Sequence, residues 1–255
     1  MRDAREDWRR FEAATIPSKE STPLLDGFLE AIRAAAPEGP PLTLLDVGCG
    51  SGRLGRRLHE RGFSVLGVDV NADAIDAARK LAAPCTDSGR WLRFEEADCA
   101  AQSPPAFTGG PFDVGVCQLV LSIIGGVDGR QNLLRNVRAN LRPGGWMYLS
   151  ASGVSDMINP GYARLYAEDV HVTGERHSYL SRNERGEVLY MTHHFTADEL
   201  VGLLEAAGFG DIRIVTEQEA SSRRPDEVAY FHYVTCRTDR SFWSEEAASS
   251  RTPRP

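Results

Sequence analysis

The chain is poor in lysine. Lys19 and Lys80 are the only two, and nearly all the positive charge is arginine. Schiff-base chemistry, which needs a lysine amine, therefore has few candidates. No apolar run approaches the roughly 20 residues that span a bilayer, so no membrane segment is expected. The five cysteines, Cys49, Cys85, Cys99, Cys117 and Cys236, are odd in number, scattered and without a C-x-x-C pair. That argues against a disulfide framework or a zinc site and points to buried thiols in a reducing cytoplasm. None of the six histidines stands in H-x-x-x-H or H-E-x-x-H spacing, so no metal site is expected. Basic charge is outweighed by acidic charge, 29 residues against 36 for a net charge of -7, which disfavours a broad phosphate-binding face and hence a nucleic-acid partner. The opening residues MRDAREDWRRFEAA mix both charge signs and do not read as a signal peptide.

What is present is room for one α/β core with an insertion in 255 residues. Thr22-Pro23 opens a helix with an apolar stripe at Leu24, Leu25, Phe28, Leu29 and Ile32, and a Pro/Gly cluster at 37–41 ends it. Short apolar strands then alternate with amphipathic helices. The strands are expected at Thr43–Val47, Ser64–Val68, Trp91–Phe94, Phe112–Cys117 and Trp146–Ala151. The helices are expected at Arg53–Arg61, at Ala72–Leu81 with Asn71 as cap, and at Gly129–Leu141. Alternation of this kind predicts a parallel sheet with right-handed crossovers. Beyond Ala151, Val170–Leu180 and Val188–Phe195 read as two strands around the turn 183–186. Thr196 and Glu199 then form a capping box for a helix ending at Gly208. Strands Asp211–Thr216 and Val228–Thr235 follow, and the polar tail 238–255 is expected to be disordered.

The strongest local signal is Leu44-Leu45-Asp46-Val47-Gly48-Cys49-Gly50-Ser51-Gly52, a buried strand entering a glycine-rich turn ahead of a helix. Glycines there admit positive φ and close approach of a ligand. The next strand ends at Asp69-Val70, about twenty residues on, where an acid can accept both hydroxyls of a ribose. A further acid, Asp98, follows the third strand and could accept adenine amino hydrogens. Asp69 could equally be a helix-capping group, and Asp98 an ordinary turn residue. Glycine spacing alone also leaves a dinucleotide site open, because Gly48, Gly50, Gly52 and Gly55 approximate G-x-G-x-x-G. Asp46 adds negative charge beside the loop, which is awkward for a pyrophosphate and suits a ligand carrying an ammonium and a sulfonium.

These segments resemble the class I (Rossmann-like) S-adenosylmethionine-dependent methyltransferases. LLDVGCGSG looks like their first motif, VLGVDVN like the ribose-binding strand, and EEADCA like the adenine-contact turn. FDVGVCQLVLSII resembles the fourth-strand motif, LRPGGWMYLS the break before strand five, and HHFTADELVGLLEAAGF the segment before strand six. The resemblance implies a seven-stranded, mostly parallel sheet flanked by helices, its last strand antiparallel, with an insertion between strands five and six. It implies one domain over 1–237, with residues 1–36 as an N-terminal helical lid that includes Trp8 and Phe11, and 155–195 as a substrate-side insertion. S-adenosyl-L-methionine is the implied cofactor. Asp46, Gly48, Cys49, Gly50 and Gly52 would surround its methionine part, Asp69 and Val70 its ribose, and Asp98 and Cys99 its adenine. Gln118 would lie near the amino-acid end.

The implied reaction is methyl transfer to O or N of a small-molecule acceptor. Positioning supplies much of such catalysis, and a base is needed where the nucleophile is protonated. The insertion carries His171, His177, His193, His194, Tyr179 and Tyr190. Because neighbours in a strand face opposite ways, at most one of His193 and His194 faces the cleft. His193 and His177 are the expected catalytic pair, against the plainer reading of polar residues on a solvated hairpin. Arg164, Arg176 and Arg182 could bind an acidic acceptor. Two alternatives stand beside this: an NAD(P)-dependent oxidoreductase, for which no Y-x-x-x-K dyad is present, and a non-catalytic S-adenosylmethionine-binding regulator.

Overall fold

The computed structural model describes residues 4–9, 22–36, 38–82, 89–221 and 226–239; Phe11, Cys85 and the tail from 240 lie outside them. Helix α1 (Ala4–Arg9) precedes α2 (Pro23–Ala35), whose Thr22 cap accepts the Leu25 N–H at 3.1 Å. There follow β1 (Thr43–Val47), α3 (Arg53–Glu60), β2 (Ser64–Asp69), α4 (Ala72–Ala82), β3 (Leu92–Glu96) and β4 (Phe112–Gln118). Next come α5 (Val127–Ala139) and β5 (Leu141–Gly153). The sheet order is β3-β2-β1-β4-β5-β9-β8, where β8 is Phe209–Ala220 and β9 is Val228–Thr238. Pairings among β1 to β5 are parallel, and β9 runs antiparallel to both β5 and β8.

The central strands are buried on both faces, so successive residues serve opposite layers. Leu45, Leu66 and Leu149 pack into one cluster and Leu44, Val65 and Tyr148 into the other. Strand order reverses between β1 and β4, which opens a crevice at the carboxyl edge of the sheet.

Between β5 and β8 stand α6 (Pro160–Thr173), β6 (Ser178–Arg182), β7 (Val188–His193) and α7 (Ala197–Ala206). The strand expected over Val170–Leu180 is corrected here, because its first part completes α6. Asn159 caps that helix by accepting the Gly161 N–H at 2.9 Å, Pro160 opens it, and Tyr162, Tyr166, Asp169 and Thr173 form its buried face. Gly174 ends it in the left-handed region, and β6 and β7 then pair as a separate antiparallel ribbon. Asp169 ties helix to ribbon, accepting from the Leu180 N–H at 2.8 Å and from both ends of the Arg182 guanidinium. The expected tail boundary also moves: Thr238 is buried in β9, pairs with Phe209 and accepts the Gly145 N–H at 3.0 Å.

Candidate functional site

The glycine turn after β1 is held by two bonds to one carbonyl: the N–H groups of Gly48 and Cys49 donate to Val68 O at 2.8 and 3.0 Å. Gly48, Gly50 and Gly52 all have positive φ. Their reasons differ. A Cβ on Gly48 would fall 2.2 Å from the Val120 side chain, so this glycine lets the segment after β4 lie against the turn. A Cβ on Gly52 would fall 2.6 Å from the Phe94 ring and 2.8 Å from Ala78, so Gly52 serves helix packing. Gly48 lines the adjoining cavity, whereas Cys49, Gly50 and Gly52 stand behind it.

Asp69, at the end of β2, accepts the Gly50 N–H at 2.9 Å and the Asn71 N–H at 3.0 Å. Each oxygen keeps a further lone pair for a ligand hydroxyl. The helix-capping alternative falls to Asn71, whose own side chain accepts the Ala74 N–H at 2.8 Å. Burial raises the pKa of Asp69 against the lowering effect of those backbone donors. Asp46 is 3% exposed, and its Oδ2 has no hydrogen-bond partner among the described residues. Burial first, and then the charge of Asp69, push its carboxyl up to about 7. Asp98 accepts the Ala100 N–H at 2.9 Å and faces Arg9 of α1 at 3.9 Å.

A cavity of about 350 Å³ runs along these strand ends. Gly48, Asp69, Val70, Asp98, Cys99 and Gln118 line one end, and Trp8, Tyr162, Tyr179, Tyr190, His194 and Phe231 line the other. The Trp8 and Tyr190 rings lie 4.6 Å apart, so α1 rests on the ribbon above the cavity. No lysine or arginine lines it among the described residues. A carboxylate with lone pairs left for a diol, and a lining with acids but no lysine or arginine among the described residues, fit a cationic adenosine ligand. They fit a pyrophosphate poorly, since like charge would be desolvated beside it.

The two histidines expected to be catalytic lie elsewhere. His193 points away from the cavity into a buried cluster: Nε2 meets Glu199 Oε1 at 3.0 Å, and Nδ1 meets Ser178 Oγ at 2.7 Å. Glu175, 3.4 Å from His193, also pairs with Arg130, which is 1% exposed and donates to Ile124 O at 3.0 Å. Burial would raise the Glu175 pKa, but hydrogen bonds from His193 and Arg130 outweigh it and hold the carboxyl down at about 2. The expected capping box is therefore half made: Thr196 accepts the Glu199 N–H at 3.2 Å, while the Glu199 carboxylate turns to His193. His177 packs edge-on against Tyr166 at 5.5 Å and does not line the cavity. The residue that does is His194, next to His193 in the chain: it is 2% exposed, with Nδ1 2.6 Å from Tyr166 Oη. Period-two alternation separates His193 from His194, but the choice of face depends on Glu199 and Arg130, which lie in other elements. Arg182 is taken up by Asp169, and neither Arg164 nor Arg176 lines the cavity.

Residues 45–147 match the family model for a methyltransferase domain. Two curated relatives are similar over nearly the same stretch. The release factor glutamine methyltransferase of Chlorobaculum tepidum is 38% identical, covering 40% of this chain and 36% of its own. The ubiquinone biosynthesis O-methyltransferase of Leptothrix cholodnii is 31% identical, covering 43% of each. The match thus spans less than half the length of either relative. A solved S-adenosylmethionine-dependent methyltransferase from Methanosarcina mazei is similar over 86% of this chain and 98% of its own, with 25% identity and a TM-score of 0.71. With the strand order and the reversal between β1 and β4, these likenesses give the chain the fold of the class I, Rossmann-like S-adenosylmethionine-dependent methyltransferases, and residues 45–147 carry the match to the methyltransferase domain.

Proposed function

We propose that the protein transfers a methyl group from S-adenosylmethionine to an oxygen or nitrogen of a small molecule. The observation that carries this reading is one cavity joining Asp69 and Asp98 to an aromatic wall, closed over by Trp8. When bound, the cofactor supplies an electrophilic methyl carbon: the acceptor's lone pair forms the new bond as the carbon–sulfur bond breaks and its electron pair stays on sulfur. In this reading Asp69 and Val70 hold the ribose, Asp98 accepts from the adenine amino group, and the Cys99 N–H meets the adenine ring. Gly48 and Gln118 flank the methionine part, with Cys49, Gly50 and Gly52 shaping the turn behind. Asp46 supplies negative charge toward the ligand's cationic end. Residues 155–195 cover the acceptor side and α1 contributes the lid, within one domain; residues 10–21 of the expected lid lie outside the described residues.

A small acceptor, and no nucleic acid, is favoured by the net charge of -7 and by a lining that holds no lysine or arginine among the described residues. No helix among the described residues is long and apolar enough to cross a membrane. The described cysteines, Cys49, Cys99, Cys117 and Cys236, are free thiols, which suits a reducing cytoplasm. Calorimetry with S-adenosylhomocysteine and with NAD tests the reading. Micromolar-range binding of the first and none of the second is expected. Tight NAD binding without a response to S-adenosylhomocysteine would favour an oxidoreductase and overturn it.

A further inference from the structure

We infer that Asn71 is a positioning residue for cofactor exchange. Its side-chain amide latches α1 over the cavity, so that S-adenosylmethionine enters and S-adenosylhomocysteine leaves when that hydrogen bond opens. The inference rests on the methyl-transfer reading above. Helix α1 has six residues. Starting a helix fixes several residues for its first hydrogen bond, so one this short has little stability of its own. What it touches therefore sets its place over the cavity.

A hydrogen bond, a ring contact and an ion pair hold it there. Trp8 O is among the last carbonyls of the helix, which have no partner within it, and it accepts from Asn71 Nδ2 at 2.8 Å. The Trp8 ring lies 4.6 Å from the Tyr190 ring of β7, and Arg9 faces Asp98 at 3.9 Å. The Arg9 side chain is 46% exposed, so solvent screens that pair. Trp8 and Asn71 are buried, and the hydrogen bond between them meets little competition from water.

Asn71 also belongs to the nucleoside end. Its N–H donates to Asp69 Oδ1 at 3.0 Å, and its Oδ1 accepts the Ala74 N–H at 2.8 Å, which caps α4. The side-chain amide N–H reaches α1 instead. These duties fall on different atoms, so a substitution can separate them. Trp8, Asp69, Asp98 and Tyr190 all line the cavity, and α1 therefore bridges its two ends. An adenosine held by Asp69 and Asp98 is enclosed by this helix and exchanges when the helix lifts.

The experiment follows S-adenosylhomocysteine on the full chain, as release of tritiated ligand into an unlabelled excess and as its rate of uptake. Asn71→Ser keeps an oxygen for the Ala74 N–H and loses the amide donor. It is expected to raise both rates about fivefold, the weight of one hydrogen bond. The dissociation constant should stay within about twofold of wild type, because a latch governs passage and leaves the ribose carboxylate in place. Without ligand, hydrogen exchange of the α1 amides should quicken by a similar factor while that of β2 stays as in wild type. Asn71→Asp also caps α4 but turns a carboxylate toward Trp8 O, and should exchange ligand at least as fast as Asn71→Ser. Wild-type rates in both variants overturn the latch. So does a dissociation constant raised about tenfold or more with unchanged exchange at α1, which would mean that Asn71 serves Asp69 alone. Should Asn71→Ser not fold, Asn71→Asp decides. Failure of the wild type to bind S-adenosylhomocysteine would instead refute the methyltransferase reading.

Discussion

Replacing Asp46 with asparagine removes a charge that the folded chain holds at a penalty. The carboxyl is 3% exposed, and one of its oxygens has no hydrogen-bond partner among the described residues. Burial and the neighbouring Asp69 move its pKa from 3.8 to about 7. At 1.36 kcal/mol per unit, that displacement corresponds to about 4 kcal/mol between the two protonation states. The sign follows from linkage. A raised folded-state pKa contributes stability that is fully present below the unfolded value and lost as pH rises through the folded one. Asp46 therefore costs the unliganded protein nothing near pH 4 and about 4 kcal/mol above pH 7. The asparagine amide does not titrate, so Asp46→Asn should gain on wild type by roughly that amount across the window. Urea melts of both proteins from about pH 4 to 8 read the difference directly. The ligand reverses the preference, because a bound cation favours the ionised carboxylate. S-adenosylmethionine affinity of the wild type should thus rise with pH through about 7, and Asp46→Asn should bind more weakly with a flat profile. Parallel stability curves for the two proteins would refute the argument.

Asp69→Ala should weaken S-adenosylhomocysteine binding by about 1–3 kcal/mol, measured by calorimetry, because ribose hydroxyls lose a buried acceptor. Gly52→Ala should destabilise the fold by about 1–3 kcal/mol in denaturant melts, since its Cβ meets Phe94 in a positive-φ position. Arg130→Met should cost about 3–5 kcal/mol, because Glu175 and Glu199 would lose their arginine and keep His193 and the Ser178 hydroxyl as partners. Restoring much of that loss by adding Glu175→Gln would confirm the cluster as its source.

The cavity end lined by Gly48, Asp69 and Asp98 was legible because it is written in contiguous motifs. A strand, a glycine turn and an acid at the next strand end each identify themselves locally. The acceptor end was less so. The β-branched run at Val170 and Val172 suggested a strand, although Asn159-Pro160 and the spacing of Tyr162, Tyr166, Asp169 and Thr173 carried the helical signal. The choice between His193 and His194 needed Arg130, more than sixty residues upstream. Gly52 looked like a ligand-facing glycine and proved to make room for Phe94, a partner in β3 that no local pattern names.

The contact between Gly48 and Val120 has a consequence for the order of events in folding. The turn, Asp69 and Asp98 all precede residue 100, yet the adjoining wall runs from Gln118 to Val120, at the end of a strand that reaches its place by pairing Leu44 with Val114. That pairing closes a loop of about seventy residues, among the slower steps a chain this size must take. A growing or truncated chain ending before β4 would therefore carry every nucleoside motif and still lack a cleft. Ligand capture then becomes a reporter of long-range strand docking: in refolding it should lag the recovery of helical signal, and it should be absent from any fragment that stops short of Val120.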